Sequence, residues 1–285
     1  YDGDGKTDVA TFSSGTWTIR KSSDGNTTTV SGFGQSGDIP VPGNYTNSNA
    51  DDNLAVYRPS NGTWYWRELG DTTVYSQSWG ASTDIPAPGD YNGTGGADFA
   101  VFRPSDGTWY VLYNGGGWAG YQWGVSIDIP VAADYDADGK TDPAVFRPST
   151  GQWWVLFSAN SHTTYEGGTW GAVGDQPMVG DFDGDSKADW SVWRPTTGKW
   201  FIRKSSNSSS YSESLGANGD TVLSSSYIKQ VGSQISPDII NQARLSPKNA
   251  TGGTNLYSQN FSWGTSLVGL PGRSGLDLGV GISYN

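Results

Sequence analysis

The sequence predicts an all-β chain that folds as a five-bladed β-propeller and ends in an irregular, partly β tail. Three observations predict this architecture. A unit of about 45 residues recurs five times, and each copy holds short strand-like runs separated by glycine turns. The 28 acidic residues include only three glutamates, and aspartate favours turns where glutamate favours helices. A unit of this length with three or four short strands is typical of one propeller blade.

Two sets of aromatic residues fix the period of the repeat. Tryptophans in the second strand of each copy are 47, 45, 44 and 47 residues apart, and aromatic residues in the loop before the first strand are 44, 46, 44 and 47 apart. Because the two sets agree, we place the copies at about 1–43, 44–89, 90–133, 134–180 and 181–222, with a tail at 223–285. The two sets are Trp17, Trp64, Trp109, Trp153 and Trp200, and Tyr1, Tyr45, Tyr91, Tyr135 and Phe182.

Each copy contains a loop, an apolar strand, a turn, a strand with the repeated tryptophan, a polar turn and a third strand. The runs from Thr108 to Tyr113 and from Gln152 to Phe157 are rich in β-branched and aromatic residues, as strands are. Turns such as Ser105-Asp106-Gly107 place glycine where a positive φ is needed. An open ring would expose two sheet edges, so we expect the five blades to close on themselves.

The loop that opens the fourth copy has the pattern of a calcium site. Carboxylates occupy positions 1, 3, 5 and 9, and Gly139 at position 6 allows a tight turn between oxygen ligands. Four ionised carboxylates within nine residues repel one another unless a cation lies between them. Position 12 is Val145 in a strand, so the loop does not resemble an EF-hand. The predicted ligands of this structural calcium are Asp134, Asp136, Asp138, Asp142 and the backbone carbonyl of Lys140.

The same pattern returns in the last copy and at the start of the chain. The loop at 181 keeps all four carboxylates, whereas the first loop keeps three because the chain begins where the first one would stand. The loop at 90 keeps only the outer pair, Asp90 and Asp98, and the loop at 44, from Asn44 to Asp52, has Asn, Thr and Ser at its first three ligand positions. Both loops are predicted to be weak or empty. The further predicted ligands are Asp181, Asp183, Asp185, Lys187 and Asp189, and Asp2, Asp4, Lys6 and Asp8.

The Asp-x-Asp-x-Asp-Gly-x-x-Asp loop, followed at 144–148 by Ala-Val-Phe-Arg-Pro, resembles the FG-GAP and VCBS repeats. The resemblance covers nearly four fifths of the chain. It implies a propeller with calcium in its loops, as in integrin-type propellers and many bacterial surface proteins. The loop at 181 departs from the family because Ser186 stands where the family has glycine.

The tail lacks the repeat. Its segment 269–278, Gly-Leu-Pro-Gly-Arg-Ser-Gly-Leu-Asp-Leu, followed by 282–285, resembles the lead-in to the shell of RHS or YD-repeat proteins. This resemblance implies that the native chain continues beyond Asn285. The alternating apolar residues of the tail also suit pairing with a sheet edge of a neighbouring subunit.

Charge and hydropathy exclude several classes of partner. The net charge is −11 and no basic stripe is present, which argues against nucleic acid and against an anionic membrane surface. No run of about 18 apolar residues is present, so membrane insertion is not predicted. Loops with this carboxylate count are usually filled where calcium is millimolar. We therefore expect an extracellular or cell-surface location, in a bacterium.

The sequence offers few candidates for catalysis. His162 is the one histidine and lies in a polar turn, and the chain has no cysteine, so neither a triad nor a thiol nucleophile is indicated. Aspartates that recur before Ile-Pro indicate an architectural role, and arginines that recur before proline are expected to bond with them between blades. We predict that the protein is not an enzyme. These residues are Asp38, Asp84 and Asp128, and Arg58, Arg103, Arg147 and Arg194.

Three tryptophans before glycine, Trp79, Trp123 and Trp170, are candidates for stacking on sugar rings between blades. The competing explanation is that they fill the space between wedge-shaped blades. The predicted function is a non-enzymatic structural or interaction module, stabilised by calcium, that binds copies of itself or another cell-surface protein and assembles into a filament through its tail. One alternative is a carbohydrate-binding adhesin that uses the clefts between blades. The other is a processed fragment of an RHS or YD-repeat protein.

Overall fold

The computed structural model describes residues 1, 8–46 and 52–216, and the backbone of two short strands at 268–271 and 277–280. The regular secondary structure of the described residues is almost entirely β-strand, and the one helical turn among them is a 3-10 turn at Ala159–Ser161. None of the described segments forms a helix with the length and apolar character needed to cross a membrane.

Five antiparallel sheets follow one another along the chain and are arranged as a five-bladed β-propeller, which confirms the predicted fold class. Blade 1 contains β1 (Val9–Ser13), β2 (Thr16–Arg20) and β3 (Thr27–Ser31). Blade 2 contains β4 (Ile39–Pro40), β5 (Leu54–Arg58), β6 (Thr63–Arg67) and β7 (Tyr75–Ser78). Blade 3 contains β8 (Ile85–Pro86), β9 (Phe99–Arg103), β10 (Thr108–Leu112) and β11 (Trp118–Gln122).

The last two blades have the same order. Blade 4 contains β12 (Ile129–Pro130), β13 (Ala144–Arg147), β14 (Gln152–Leu156) and β15 (Tyr165–Thr169). Blade 5 contains β16 (Gln176–Gly180), β17 (Asp189–Arg194), β18 (Lys199–Arg203) and β19 (Ser210–Ser214). In the tail, β20 (Val268–Pro271) pairs with β21 (Asp277–Val280), and the rest of the predicted tail lies outside the described residues.

The sheets do not coincide with the copies seen in the sequence. The first strand of each four-stranded blade stands at the end of the preceding copy and pairs with the apolar strand that follows the next loop. In blade 2, for example, Ile39 pairs with Tyr57 and Pro40 pairs with Val56. Each loop therefore connects two strands of one blade and lies at one end of that blade.

Buried aromatic and aliphatic side chains join the blades in pairs. One cluster holds Ile19 of blade 1 with Leu54 of blade 2, and another holds Trp64 of blade 2 with Val101 of blade 3. Two further clusters join blades 3 and 4 and blades 4 and 5, and a fifth consists of residues of blade 5. The fold therefore buries its apolar area mainly between blades.

The repeated tryptophan of the second strand has the same contact in every blade. Its ring is at most 1% exposed, and its indole N–H donates to a carbonyl at the end of the outer strand of its own blade. A buried indole N–H needs such a partner, so this bond fixes the turn after the outer strand. The pairs are Trp17 with Phe33, Trp64 with Trp79, Trp109 with Trp123, Trp153 with Trp170, and Trp200 with Leu215, at 2.8–3.1 Å.

The repeated arginines and aspartates form bidentate pairs, as predicted, but within one blade and not between blades. Arg58 at the end of β5 donates through Nε and a terminal nitrogen to both oxygens of Asp38, which stands just before β4, at 2.8 Å each. The same carboxylate accepts the main-chain N–H of Gln35. The equivalent pairs are Arg103 with Asp84, Arg147 with Asp128, and Arg194 with Asp175. Each pair holds the linker between two blades to the blade that the linker enters.

Candidate metal centres

The loop at 134 brings three of its predicted ligands together. Carboxylate oxygens of Asp134, Asp136 and Asp138 all lie within 4.8 Å of one another. Asp134 is buried, and its two oxygens accept the main-chain N–H groups of Ala137 at 2.6 Å and Gly139 at 2.9 Å. These bonds curl the loop so that the side chains at positions 1, 3 and 5 converge.

Asp138 ties this loop to the hairpin between β14 and β15, whereas Asp136 bonds within the loop. Asp138 accepts the Ser158 hydroxyl at 2.8 Å on one oxygen and the main-chain N–H of Lys140 at 2.9 Å on the other. Asp136 accepts the main-chain N–H of Asp138 at 3.1 Å. The main-chain nitrogen of Lys140 donates to Asp138, and the predicted calcium ligation by its carbonyl oxygen stays a prediction.

Asp142 lies outside this cluster and has another contact pattern. One of its oxygens accepts the main-chain N–H of Tyr135 at 2.8 Å, and the other accepts that of Ser158 at 2.6 Å. The side chain is fully buried. Asp142 therefore joins the start of the loop to the hairpin between β14 and β15.

The loop at 181 forms a second cluster with different members. Oxygens of Asp181, Asp183 and Asp189 lie within 4.8 Å of one another. Asp183 Oδ2 accepts the Ser206 hydroxyl at 2.5 Å, whereas Asp183 Oδ1 is buried and has no hydrogen-bond donor. Asp185 instead accepts the Ser205 hydroxyl and the main-chain N–H of Lys187, at 2.9 Å each. A buried carboxylate oxygen without a donor is costly, and a cation would satisfy it.

The last position of the loop has one architectural role in all five blades. A side-chain oxygen at this position accepts a hydrogen bond from the main-chain nitrogen of the loop aromatic residue, as Asp189 does from Phe182 at 2.8 Å. In the loops at 90, 134 and 181 the second oxygen accepts a main-chain N–H from the hairpin after the repeated tryptophan. The sequence alone did not separate this role from metal binding, because an aspartate suits both. The five residues are Asp8, Asn53, Asp98, Asp142 and Asp189.

Burial changes the acidity of these carboxylates. It raises the pKa of Asp98 and of Asp142 to about 7 and that of Asp189 to about 6, against the hydrogen bonds from main-chain N–H groups, which lower it. Burial also raises the pKa of Asp134 to about 6. A bound cation would favour the ionised form of those carboxylates that it contacts.

The remaining loops differ in what they bring together. Asp2, Asp4 and Lys6 lie outside the described residues, while Asp8 accepts the main-chain N–H of Ser22 at 2.7 Å. In the loop at 90, Asp90 accepts three main-chain N–H groups much as Asp134 and Asp181 do. The described part of that loop contains no cluster of three carboxylates. The aspartate at the first position is therefore sufficient to curl the loop.

The loop at 44 ends one residue later than its sequence pattern indicates. Gly43 pairs with Asn53, as Gly89 pairs with Asp98, so Asn53 and not Asp52 occupies the last loop position. The amide oxygen of Asn53 accepts the main-chain N–H of Tyr45 at 2.8 Å. This blade therefore carries an uncharged side chain where the other blades have aspartate.

The three candidate tryptophans lie between blades, half-buried. The indole N–H of Trp79 donates to the Tyr110 carbonyl of the next blade at 3.0 Å, and that of Trp123 donates to the Trp154 carbonyl at 3.0 Å. Trp170 donates to the Phe201 carbonyl at 3.2 Å in the same way. They therefore fill space between blades, and their suggested ligand contacts stay a prediction.

Two exposed aromatic residues beside these tryptophans were missed by the sequence analysis. Trp118 is 65% exposed and its ring centroid lies 6.5 Å from that of Trp79. Tyr165 is 62% exposed and its centroid lies 5.5 Å from that of Trp123. Both residues begin the outer strand of a blade. Their position at the start of that strand was the signal in the sequence that could have identified them.

His162 is half-buried, and its ring centroid lies 4.1 Å from that of Tyr121. Burial, and then the nearby Lys140, lower its pKa, and Nε2 has no hydrogen-bond partner. Within the described residues, no serine hydroxyl or carboxylate hydrogen-bonds to this imidazole. The contacts are those of a residue packed against an aromatic ring.

These features define a five-bladed β-propeller whose loops carry two clusters of three carboxylates. The sequence matches no protein-family model and no curated protein.

Several solved structures are similar in fold. Virginiamycin B lyase from Staphylococcus aureus is 7% identical with a TM-score of 0.48, over 75% of this chain and 71% of the lyase chain. A lectin from Agrocybe aegerita, described as recognising non-reducing terminal N-acetylglucosamine, is 11% identical with a TM-score of 0.44, over 70% and 73%. BBS1N in complex with ARL6DN is 13% identical with a TM-score of 0.42, over 69% and 57%. Similarity at this level transfers no activity and no ligand to this chain.

Proposed function

We propose that this chain is a non-enzymatic interaction module whose blades 4 and 5 are stabilised by calcium. The observation that carries the calcium assignment is the donor-free oxygen of Asp183, buried in a cluster with Asp181 and Asp189. The ligands available are carboxylate oxygens, which calcium prefers, and no histidine or cysteine belongs to either cluster. The cation would lower the repulsion between ionised carboxylates that the fold forces together.

A structural role for the cation follows from the surroundings of the clusters. Ser158 contacts Asp138 and Asp142, and Ser205 contacts Asp185 and Asp189, so each loop is bonded to the hairpin of its own blade. A cation held in the loop would order the carboxylates that join it, through hydrogen bonds, to a segment about 16 to 20 residues away in sequence. Calcium at millimolar concentration would fill such loops, and this supports an extracellular or cell-surface setting.

The experiment compares thermal unfolding in calcium and in chelator. Asp136→Asn with Asp138→Asn removes two of the three clustered carboxylates in blade 4, and we expect a smaller rise in Tm on adding calcium. Asn92→Ala, in the loop at 90, is the matched control and should leave the calcium effect unchanged. Equal Tm values in calcium and in chelator for the unchanged protein would refute the metal assignment.

Assembly is the second part of the proposal. The acidic surface and the absence of an assembled catalytic group among the described residues support binding over catalysis, and we infer that the partner is another copy of the chain or another cell-surface protein. Light scattering of the full chain and of a chain ending at residue 222 tests this. Larger particles formed only by the full chain would support assembly through the tail, and two monodisperse monomers would refute it.

A glycan is the second candidate partner. The observation that favours it is the pair of exposed rings, Trp118 and Tyr165, beside Trp79 and Trp123.

A further inference from the structure

Two junctions between neighbouring blades, each called a cleft below, repeat one aromatic geometry. In the cleft between blades 2 and 3, the rings of Trp79 and Trp118 are tilted by 52°, and in the cleft between blades 3 and 4 the rings of Trp123 and Tyr165 are tilted by 53°. In each cleft the ring from the earlier blade is half-buried and the ring from the later blade is more than 60% exposed. Exposed rings of this size at matching places indicate a surface that binds something.

The inner ring of each cleft is held in place before any ligand arrives. The indole N–H of Trp79 is bonded to Tyr110 of the next blade, and that of Trp123 is bonded to Trp154. These bonds fix the ring planes, so a ligand that stacks on them does not have to order the side chain. A preorganised aromatic face lowers the entropic cost of binding.

The outer strand adds a glycine and a polar group to each cleft. Side chains alternate along a strand, so Trp118, Gly120 and Gln122 lie on one face of β11. Gly120 pairs with Tyr110, and the Trp118 ring lies against it, 3.6 Å from the place that a Cβ would take. The face therefore presents an aromatic ring that rests against a glycine, followed by an amide.

Blade 4 has the same arrangement. Tyr165, Gly167 and Thr169 lie on one face of β15. A Cβ at Gly167 would lie 2.6 Å from the ring of Trp154, so only glycine lets that ring rest against the strand. The hydroxyl of Thr169 takes the place of the amide of Gln122.

We propose that these two clefts bind a neutral pyranose sugar. An aromatic ring stacks on the flat face of a pyranose that is lined with C–H groups, while hydroxyl groups at its edge need partners that both donate and accept. Gln122 and Thr169 offer both functions. The two strand faces carry no charged side chain and the protein has a net charge of −11, so an acidic polysaccharide does not fit. The proposal rests on the interaction role given above and names its ligand class.

The chain contains its own negative control. In the cleft between blades 4 and 5 the inner ring is Trp170, but the position equivalent to Trp118 and Tyr165 is Ser210. This cleft therefore has one ring where the others have two. We expect two sugar sites per chain and none at Trp170.

The test is calorimetric titration of the full chain, in calcium, with cellotetraose and chitotetraose as neutral probes and with heparin as an acidic one. We expect binding of at least one neutral probe at two sites and no binding of heparin. Trp118→Ala and Tyr165→Ala should each remove one site or weaken it about tenfold, and the double change should abolish binding. Ser210→Ala is the control and should leave both sites intact. Because Trp118 and Tyr165 are exposed, Tm should not change.

Three results would overturn the proposal. They are no binding of either neutral probe, binding that survives the double change, and preferential binding of a proline-rich peptide, which also docks on aromatic grooves. Assembly of the full chain in light scattering and the calcium effect on Tm are measured without sugar, so if both persist alongside any of these results, the proposed function stands and only its sugar ligand is removed.

Discussion

Arg103 donates two hydrogen bonds of 2.8 Å to Asp84, and its guanidinium lies 4.3 Å above the centre of the Tyr110 ring. The side chain of Asp84 is fully buried, while the side chain of Arg103 is 29% exposed. Asp84 also accepts the main-chain N–H of Ala81 at 2.8 Å. One pair thus connects the entry linker, the second strand and the third strand of blade 3.

Arg103→Lys should therefore destabilise the protein although it keeps the charge. Lysine cannot form the two parallel bonds or stack on Tyr110 through a flat cation, so we expect a loss of about 1–3 kcal/mol in the free energy of unfolding. Denaturant unfolding measures this loss. Lys199→Arg, at an exposed position of β18, is the control. An equal effect of the two substitutions on the free energy of unfolding would show that the two parallel bonds from Arg103 to Asp84 are unimportant.

The sequence predicts the blade count well because the repeated tryptophan and the loop aromatic are both buried in every described copy but the first, where Tyr1 is half-buried. It does not predict that each blade takes its first strand from the preceding copy. That strand is two residues long in blades 2 to 4, too short for any periodicity to appear. The pairing of strands in space decides which blade this short strand joins, and the sequence does not show that pairing.

The sequence predicts the members of one carboxylate cluster and not those of the other, because contacts from outside the loop also decide which carboxylates converge. The clustering of Asp134, Asp136 and Asp138 follows the loop pattern. The pattern at 181 is the same, yet Asp189 and not Asp185 joins the cluster. Ser158 and Ser205 bond to Asp138 and Asp185 alike, and what differs is Ser206, which bonds to Asp183 where blade 4 has Ala159. Ser206 lies in a separate hairpin, so spacing within the loop does not reveal it.

Asp98 should make stability depend on pH. Burial raises its pKa to about 7 from an ordinary value of 3.8, so the ionised form is disfavoured in the folded state. Its contribution is fully present below about pH 4 and is lost as the pH rises through about 7, at an upper limit of about 4 kcal/mol. We expect the free energy of unfolding in chelator to fall between pH 5 and pH 8.

Asp98→Asn should flatten part of this dependence. Asn53 shows that an amide oxygen can accept the bond from the loop aromatic at this position. The variant loses the bond from Asn114, so it should be less stable than the unchanged protein at pH 5. The difference in the free energy of unfolding between the variant and the unchanged protein should narrow at pH 8, as measured by denaturant unfolding. An equal difference at both pH values would mean that Asp98 does not titrate in this range.

Trp153 should be among the least replaceable residues of the protein. It is fully buried, stacks on Trp190 of the next blade at 5.8 Å with the planes 6° apart, and donates to Trp170 at 2.8 Å. Trp153→Phe leaves that carbonyl without its donor and opens a cavity, at a cost of about 2–4 kcal/mol. Trp118→Phe, at a largely exposed ring, should cost less than about 0.5 kcal/mol. Similar losses would contradict the packing described for blades 4 and 5.

Asp183→Asn should change stability in opposite directions with and without calcium. In chelator the substitution removes one of three clustered negative charges, so the repulsion with Asp181 and Asp189 falls and Tm should rise. In calcium it removes a ligand, so the rise in Tm that calcium gives the unchanged protein should shrink. Scanning calorimetry in chelator and in millimolar calcium measures both effects. Glu166→Gln removes the same charge from an exposed strand and should change neither the Tm in chelator nor the rise in Tm that calcium gives. A variant that is less stable than the unchanged protein in chelator would show that Asp183 serves the fold through its bond to Ser206 and not through a cation.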